Sequence, residues 1–259
     1  MIRVENVTQH YSVRPVLSNI SLMIPTGSRT AVIGPNGMGK TTFLSVLAGV
    51  LEPQRGHVEI DEIRRRSTVE NELALRKKAV FLPDRCYLPK MRTGREFLLG
   101  VGRLYDIDEL RLFEHAQRLF NLFNLTELAD SPISNYSAGQ QKKISLASAL
   151  ITEAEYLLLD EPFSGGLDPA GILALRKVLA RLSEEKGTTI VFTAPVPEVV
   201  AENADRLIVI RDGQIAVNNS IQELLAEAGT NGSVEQMLNE KIFPESEQNV
   251  SQYFAGGVA

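Results

Sequence analysis

The chain of 259 residues, 44% hydrophobic and 23% charged, suits one large soluble globular domain or two small ones. Lys and Arg total 27 against 32 acids, a net charge of -5, which argues against broad nucleic-acid binding while leaving room for a local basic pocket. No apolar run approaches the roughly eighteen residues of a membrane span, and MIRVENVTQHYS lacks the charged and apolar parts of a signal peptide.

In chain order, Ile2 to Thr8 and Val16 to Ile24 read as strands, followed by a turn at Pro25-Thr26-Gly27. Arg29 to Ile33 is a short apolar strand running into the glycine-rich loop GPNGMGK, and Thr41 to Val50 reads as a helix ended by Gly49 and Pro53. His57 to Ile60 and Ala79 to Leu82 are strand candidates around DEIRRRSTVENELALRKK, whose alternating acids and bases predict a solvated turn and helix. Cys86, the one cysteine, excludes an internal disulfide and reads as a structural thiol, a reactive thiol being the alternative. From Thr93 to Thr152 the pattern is helical, with Phe97, Leu98, Val101 and Leu104 on one face and Leu112, Leu119, Leu122 and Phe123 on another.

Strands and helices then alternate. Tyr156 to Leu159, Thr188 to Phe192 and Arg206 to Ile210 read as strands, and Pro169 to Lys186 and Pro197 to Asn203 as helices. That alternation predicts an α/β fold with a parallel sheet covered on both faces. Ser220 to Ala228 and Ser233 to Lys241 read as closing helices, and the polar tail beyond Phe243 as frayed.

Gly34-Pro35-Asn36-Gly37-Met38-Gly39-Lys40-Thr41 fits G-x-x-x-x-G-K-[ST] in full, between a predicted strand and a predicted helix. Glycines let backbone N–H groups turn toward phosphate oxygens, Lys40 reaches the terminal phosphates, and Thr41 offers a hydroxyl to Mg²⁺. An acidic pair at the end of an apolar strand would complete such a site, and Asp160 and Glu161 follow Tyr156-Leu157-Leu158-Leu159 directly. Asp160 would hold the metal through water and Glu161 would polarise an attacking water; capping of the next helix is the alternative.

With Tyr136-Ser137-Ala138-Gly139-Gln140-Gln141 between these two motifs, the chain resembles the nucleotide-binding subunit of an ATP-binding cassette (ABC) transporter over about Ile2 to Gln214. The resemblance implies a P-loop NTPase core with a parallel sheet, an N-terminal antiparallel β element and a helical insertion at about 92–145. The cassette would occupy 1–215, with helices and tail at 216–259. It implies ATP and Mg²⁺ as ligands, held by Gly34 to Thr42, and a second cassette in a head-to-tail homo- or heterodimer. Ser137, Gly139 and Gln140 would then face the opposite subunit's γ-phosphate. It also implies an integral-membrane partner, contacted by the segment Asp84 to Phe97, and a cytoplasmic chain at the inner membrane face. Tyr11 matches the aromatic that stacks on adenine, with a buried strand tyrosine as the alternative. Asp168, in GGLDP, matches the aspartate of the loop that crosses the dimer interface. SVEQMLNEKIF resembles the end of export-type cassettes.

Three departures from the family pattern bear on hydrolysis. Asp84 stands where the family places a glutamine near metal and water, so Asp84 is a candidate metal ligand. Pro195, in VFTAPVPEVV, stands where the family's switch histidine falls and has no donor to offer. DEPFSGGLDP carries one glycine more than the usual pattern, and Lys142-Lys143 replace a glutamine-arginine pair. The loss of preorganised hydrogen bonds predicts slow ATP turnover unless Asp84, Thr193 or a partner subunit compensates. Two alternatives stay open: a regulatory cassette that binds without hydrolysing, paired with an active paralogue, and a soluble ABC ATPase not linked to transport.

Overall fold

The computed structural model describes residues 1–195, 197–228 and 253. In chain order the elements are β1 (Ile2–His10), β2 (Pro15–Ile24), β3 (Arg29–Ile33), α1 (Lys40–Leu47), β4 (Arg55–Ile60), β5 (Ile63–Arg64) and α2 (Val69–Lys78). There follow β6 (Ala79–Leu82), α3 (Gly94–Leu104), α4 (Glu109–Leu122), α5 (Ala138–Leu150), β7 (Tyr156–Leu159) and α6 (Pro169–Lys186). The described elements end with β8 (Thr189–Thr193), α7 (Pro197–Asn203), β9 (Arg206–Arg211), β10 (Gln214–Ser220) and α8 (Ile221–Ala228).

Two sheets result. The smaller is antiparallel, in the order β2-β1-β4-β5, and the larger runs β10-β9-β3-β8-β7-β6. In the larger sheet every neighbouring pair is parallel except the edge pair β9 and β10. Its strands are short apolar runs because both faces are covered. Successive side chains point to opposite faces, so Ala31 and Ile33 join one core and Val32 the other; β7 divides likewise, Leu157 and Leu159 against Tyr156 and Leu158. One core lies under α3 to α6; the other surrounds Phe43, Leu44, Val46 and Leu47 of α1 and is closed by Ile2, Val4, Leu17 and Ile24 of the small sheet. Helix α1 is thereby clamped on one face of the large sheet, and α5 and α6 on the other. The carboxyl ends of β3, β6, β7 and β8 are left open toward one side, where ligands bind in such sheets.

The helical starts are written locally. Thr68, Thr93, Asp108, Ser137 and Asp168 each accept a backbone N–H from the first turn of α2, α3, α4, α5 and α6. Thr93 with Glu96 and Ser137 with Gln140 close reciprocal capping boxes.

The structure corrects the sequence reading in three places. The boundary expected at 215/216 falls inside β10, which pairs antiparallel with β9 from Gln214↔Arg211 to Ser220↔Arg206. As a half-exposed edge strand ending Asn218-Asn219-Ser220, it has only Ile215 and Val217 at alternate positions to announce it. The bound of about 145 for the helical insertion falls inside α5, which continues to Leu150 under the large sheet, within the helical pattern read to Thr152. The charged segment after β4 is not wholly solvated: the Arg65 side chain is 5% exposed, with Nε donating to Leu47 O at 3.1 Å and a 3.2 Å ion pair to Glu72. The helix expected at 233–241 and the tail beyond 243 lie outside the described residues, apart from residue 253.

Candidate functional site

The loop between β3 and α1 is built to receive an anion. Every other described helix from α2 to α6 starts on a polar side chain, whereas α1 starts on Gly39, with no side-chain cap. The first helical bond runs from Phe43 N–H to Gly39 O at 2.8 Å, so the N–H groups of Lys40, Thr41 and Thr42 precede it and lack an intrahelical acceptor. Gly39 has a φ of 90°, and a Cβ there would meet Val16 at 2.9 Å, so neither the turn nor the space admits another residue. Over Gly37, at φ 80°, nothing lies within 4 Å of an added Cβ, and the cradle is open on that side. The residues thus fit an anionic group such as a phosphate chain.

Lys40 closes the loop from within. Its Nζ donates to Gly34 O at 2.8 Å and Pro35 O at 3.1 Å. Burial pushes the ammonium pKa down, and the charges of Glu161 and Asp160 pull it partly back. Asn36 and Met38 complete the loop, and the Met38 N–H donates to Pro35 O at 3.4 Å. Tyr11 follows the end of β1 and is 66% exposed, which removes the buried-strand reading; its hydroxyl lies 3.5 Å from Thr42 Oγ1. An exposed ring anchored beside Thr42 offers a face to a planar ligand.

The acidic pair stands at the end of β7, and the Asp160 N–H donates to Leu82 O of neighbouring β6 at 2.8 Å. Asp160 is 2% exposed and its Oδ1 accepts from Thr193 Oγ1 at 2.6 Å. The same hydroxyl accepts the Glu161 N–H at 2.8 Å. Thr193 therefore braces both acids from β8, a role in which its hydroxyl is already committed. Glu161 has a φ of 46°, in the left-handed region that non-glycine residues rarely adopt. Ser164 holds it from the loop beyond, Oγ donating to Glu161 O at 2.9 Å and to Oε2 at 3.2 Å. Sequence reasoning missed Ser164, whose signal was only its place three residues past the acid. Among the described residues no group of three or more His, Cys, Asp or Glu forms, so a cation here would complete its shell with hydroxyl, water and ligand oxygens.

The remaining sequence candidates lie on the neighbouring loops. Asp84, expected beside a metal, is instead paired with a lysine, its Oδ1 lying 3.4 Å from Lys142 Nζ. Pro195 is exposed just past β8. Ser137 and Gln140 satisfy each other at the start of α5, and among the described residues no hydrogen bond joins them to the Gly34–Thr42 loop. Gly139 packs on the glycine pair instead: a Cβ on it would stand 2.5 Å from Gly166 O. Asp168 caps α6 through the Gly171 N–H at 2.7 Å and takes Lys143 Nζ at 2.8 Å; that lysine, then the amide, lowers its pKa. Burial pushes the Cys86 thiol up, against Ser145 and Lys142, in keeping with a structural thiol.

The profile of the family described as "ABC transporter" matches residues 17–164, more than half of the chain. The chain belongs to the ABC transporter family. The cassette is 32% identical to the daunorubicin resistance ATP-binding protein of Streptomyces coeruleorubidus over 228 residues, 88% of this chain and 71% of that one. It is 30% identical to the carnitine transport ATP-binding protein of Listeria monocytogenes over 254 residues, 97% of this chain but 63% of the relative's length. Among solved structures, a dimeric ATP-binding cassette in a post-hydrolysis state with ADP and Pi superposes with a TM-score of 0.77 at 26% identity, over 85% of this chain and 98% of that one. An ATP-binding subunit of an ABC transporter superposes with a TM-score of 0.84 over 93% of this chain and 99% of that one, and at 23% identity it speaks for the fold alone. The cassette is thus an ATP-binding ATPase subunit of the transporter type, with the α/β P-loop core that the motifs imply.

Proposed function

We propose that the cassette binds Mg-ATP in the Gly34–Thr42 loop and hydrolyses it slowly, driving a separate membrane-embedded subunit. The observation that carries this reading is the uncapped start of α1 facing buried Lys40, within the field of Asp160 and Glu161. In it the N–H groups of the loop and Lys40 bind the phosphates, and Tyr11 stacks on the base. The Thr41 hydroxyl and Asp160 would hold Mg²⁺, which when bound neutralises phosphate charge as it develops. Glu161 takes the proton of the attacking water, and Thr193 and Ser164 keep its backbone and carboxylate in place. Among the described residues no helix is long and apolar enough to cross a membrane, which suits a chain that reaches the bilayer through its partner, at the cytoplasmic face.

Ser137, Gly139 and Gln140 serve the site of a second cassette, head-to-tail. Export is the direction we favour: the daunorubicin resistance protein is one relative, although a carnitine transport protein is another. In light scattering, Glu161→Gln with Mg-ATP should form a dimer and Glu161→Gln/Ser137→Arg should stay monomeric. A dimer from the double variant would remove Ser137 from the interface. Pro195 favours a second reading, a regulatory cassette that binds without hydrolysing. Phosphate release decides between them: slow release abolished by Glu161→Gln and raised by Pro195→His supports hydrolysis. No release even with the membrane partner supports the regulatory reading.

A further inference from the structure

Lys142 lies on α5 just past the Ser137–Gln140 turn, yet its ammonium serves the loops after β6 and β7. The side chain is 6% exposed. Nζ donates to Glu161 O at 3.0 Å and reaches Asp84 Oδ1 at 3.4 Å and Asp84 O at 3.5 Å. Its stem packs beside the glycine pair, where a Cβ on Gly165 would meet Lys142 Cδ at 3.4 Å. A buried ammonium is strongly unfavourable unless an anion balances it, and Asp84 is the carboxylate within reach. Glu161 is meanwhile the strained residue of this site, at φ 46°. Its amide is held by Thr193 and its carbonyl by Lys142 and Ser164, so it is gripped from β8, from α5 and from its own loop.

We propose that Lys142 is a positioning residue for Glu161. It fixes the carbonyl of the strained residue while Asp84 balances its buried charge, so that one orientation of the Glu161 carboxylate is presented to water. This rests on the hydrolytic role proposed for Glu161. It gives Asp84 a purpose other than metal binding and links two departures from the family pattern, Asp84 and Lys142, as one charge pair.

Two measurements on the full chain test it: steady-state phosphate release with Mg-ATP, split into kcat and KM, and amide hydrogen exchange over 156–166. Lys142→Met should lower kcat about tenfold to a hundredfold with KM within about twofold, as expected for a lost charged hydrogen bond that acts after binding. Exchange at Glu161 to Gly166 should quicken. Asp84→Asn, which leaves the ammonium unbalanced, should lower kcat by about threefold to tenfold. The double variant Asp84→Asn/Lys142→Gln, with a neutral donor and no buried charge, should return to within about threefold of wild type, and it keeps the test open if Lys142→Met folds poorly. A purely structural staple between α5 and the loops would instead lower stability with kcat unchanged. Unchanged kcat in Lys142→Met beside an inactive Glu161→Gln therefore overturns the proposal, as does a double variant no better than either single one. If Glu161→Gln turns over like wild type, the general-base reading fails instead, and unchanged exchange at 161–166 in Lys142→Met would then overturn the positioning role independently.

Discussion

Replacing Thr193 by valine removes one hydroxyl while keeping the shape of a side chain that is 1% exposed. That hydroxyl donates to Asp160 Oδ1 at 2.6 Å and accepts the Glu161 N–H at 2.8 Å, so valine leaves a buried carboxylate short of a donor and an amide without an acceptor. Each such buried group costs about 1–3 kcal/mol, which places the loss for the two at about 2–6 kcal/mol. At about 2–4 °C per kcal/mol for a domain of this size, the midpoint should fall by roughly 4–24 °C. The catalytic consequence is separate. Glu161 at φ 46° is held partly by this bond, and freeing its amide lets the backbone relax toward an ordinary conformation. Turnover should therefore fall further than the lost folded fraction accounts for. Urea denaturation followed by circular dichroism gives the first quantity, and phosphate release under folded conditions gives the second. Thr193→Ser, which keeps the hydroxyl, should lose no more than about 1.5 kcal/mol and retain turnover. A valine variant within about 0.5 kcal/mol of wild type would refute the bracing argument, since it would mean that neither polar group needs the hydroxyl.

Lys40→Ala should weaken Mg-ATP binding at least about tenfold in a fluorescence titration, because the phosphates lose the buried ammonium; equal affinity would remove the loop from the site. Gly139→Ala should destabilise the junction of α5 with the glycine pair, since the new Cβ stands 2.5 Å from Gly166 O and must push that loop aside; an unchanged thermal midpoint would show that the loop yields freely. Asp61 provides a pH signature. Burial opposes its charge, but hydrogen bonds from Tyr156, the Met1 amino group and Lys78 outweigh burial and hold its pKa at about 2. A lowered pKa means that the contribution is present above the unfolded value of about 3.9 and lost as pH falls through about 2. Asp61→Asn should therefore be less stable than wild type at neutral pH and close that gap between about pH 4 and 2; a gap independent of pH would contradict the assignment.

Much of the candidate site was legible because its parts are contiguous. The anion loop is eight consecutive residues whose glycine spacing dictates the turn, and the acids Asp160 and Glu161 follow four apolar residues that read as a buried strand. The capping box of Ser137 and Gln140 is likewise local, three residues apart on one turn of helix. Periodicity carried the alternating strands and helices for the same reason, since burial on one face or both is written residue by residue.

What the sequence alone determined, then, is the fold class, the phosphate loop and the acidic strand end, because each rests on neighbours along the chain. Only the tertiary structure decided which charges meet. Asp84 and Lys142 are 58 residues apart, Lys143 and Asp168 are 25 apart, and Thr193 and Asp160 are 33 apart. Read singly, Asp84 looked like a metal ligand and Lys142 like a mild substitution; brought together they are a half-buried ion pair beside Glu161. Strand β10 and the burial of Arg65 were hidden in the same way, the one depending on an edge supplied by β9 and the other on Leu47 and Glu72. A polar side chain's function depends on the partner that desolvation obliges it to find, and that partner is chosen by the packing of sheet and helices rather than by the residues beside it in the chain.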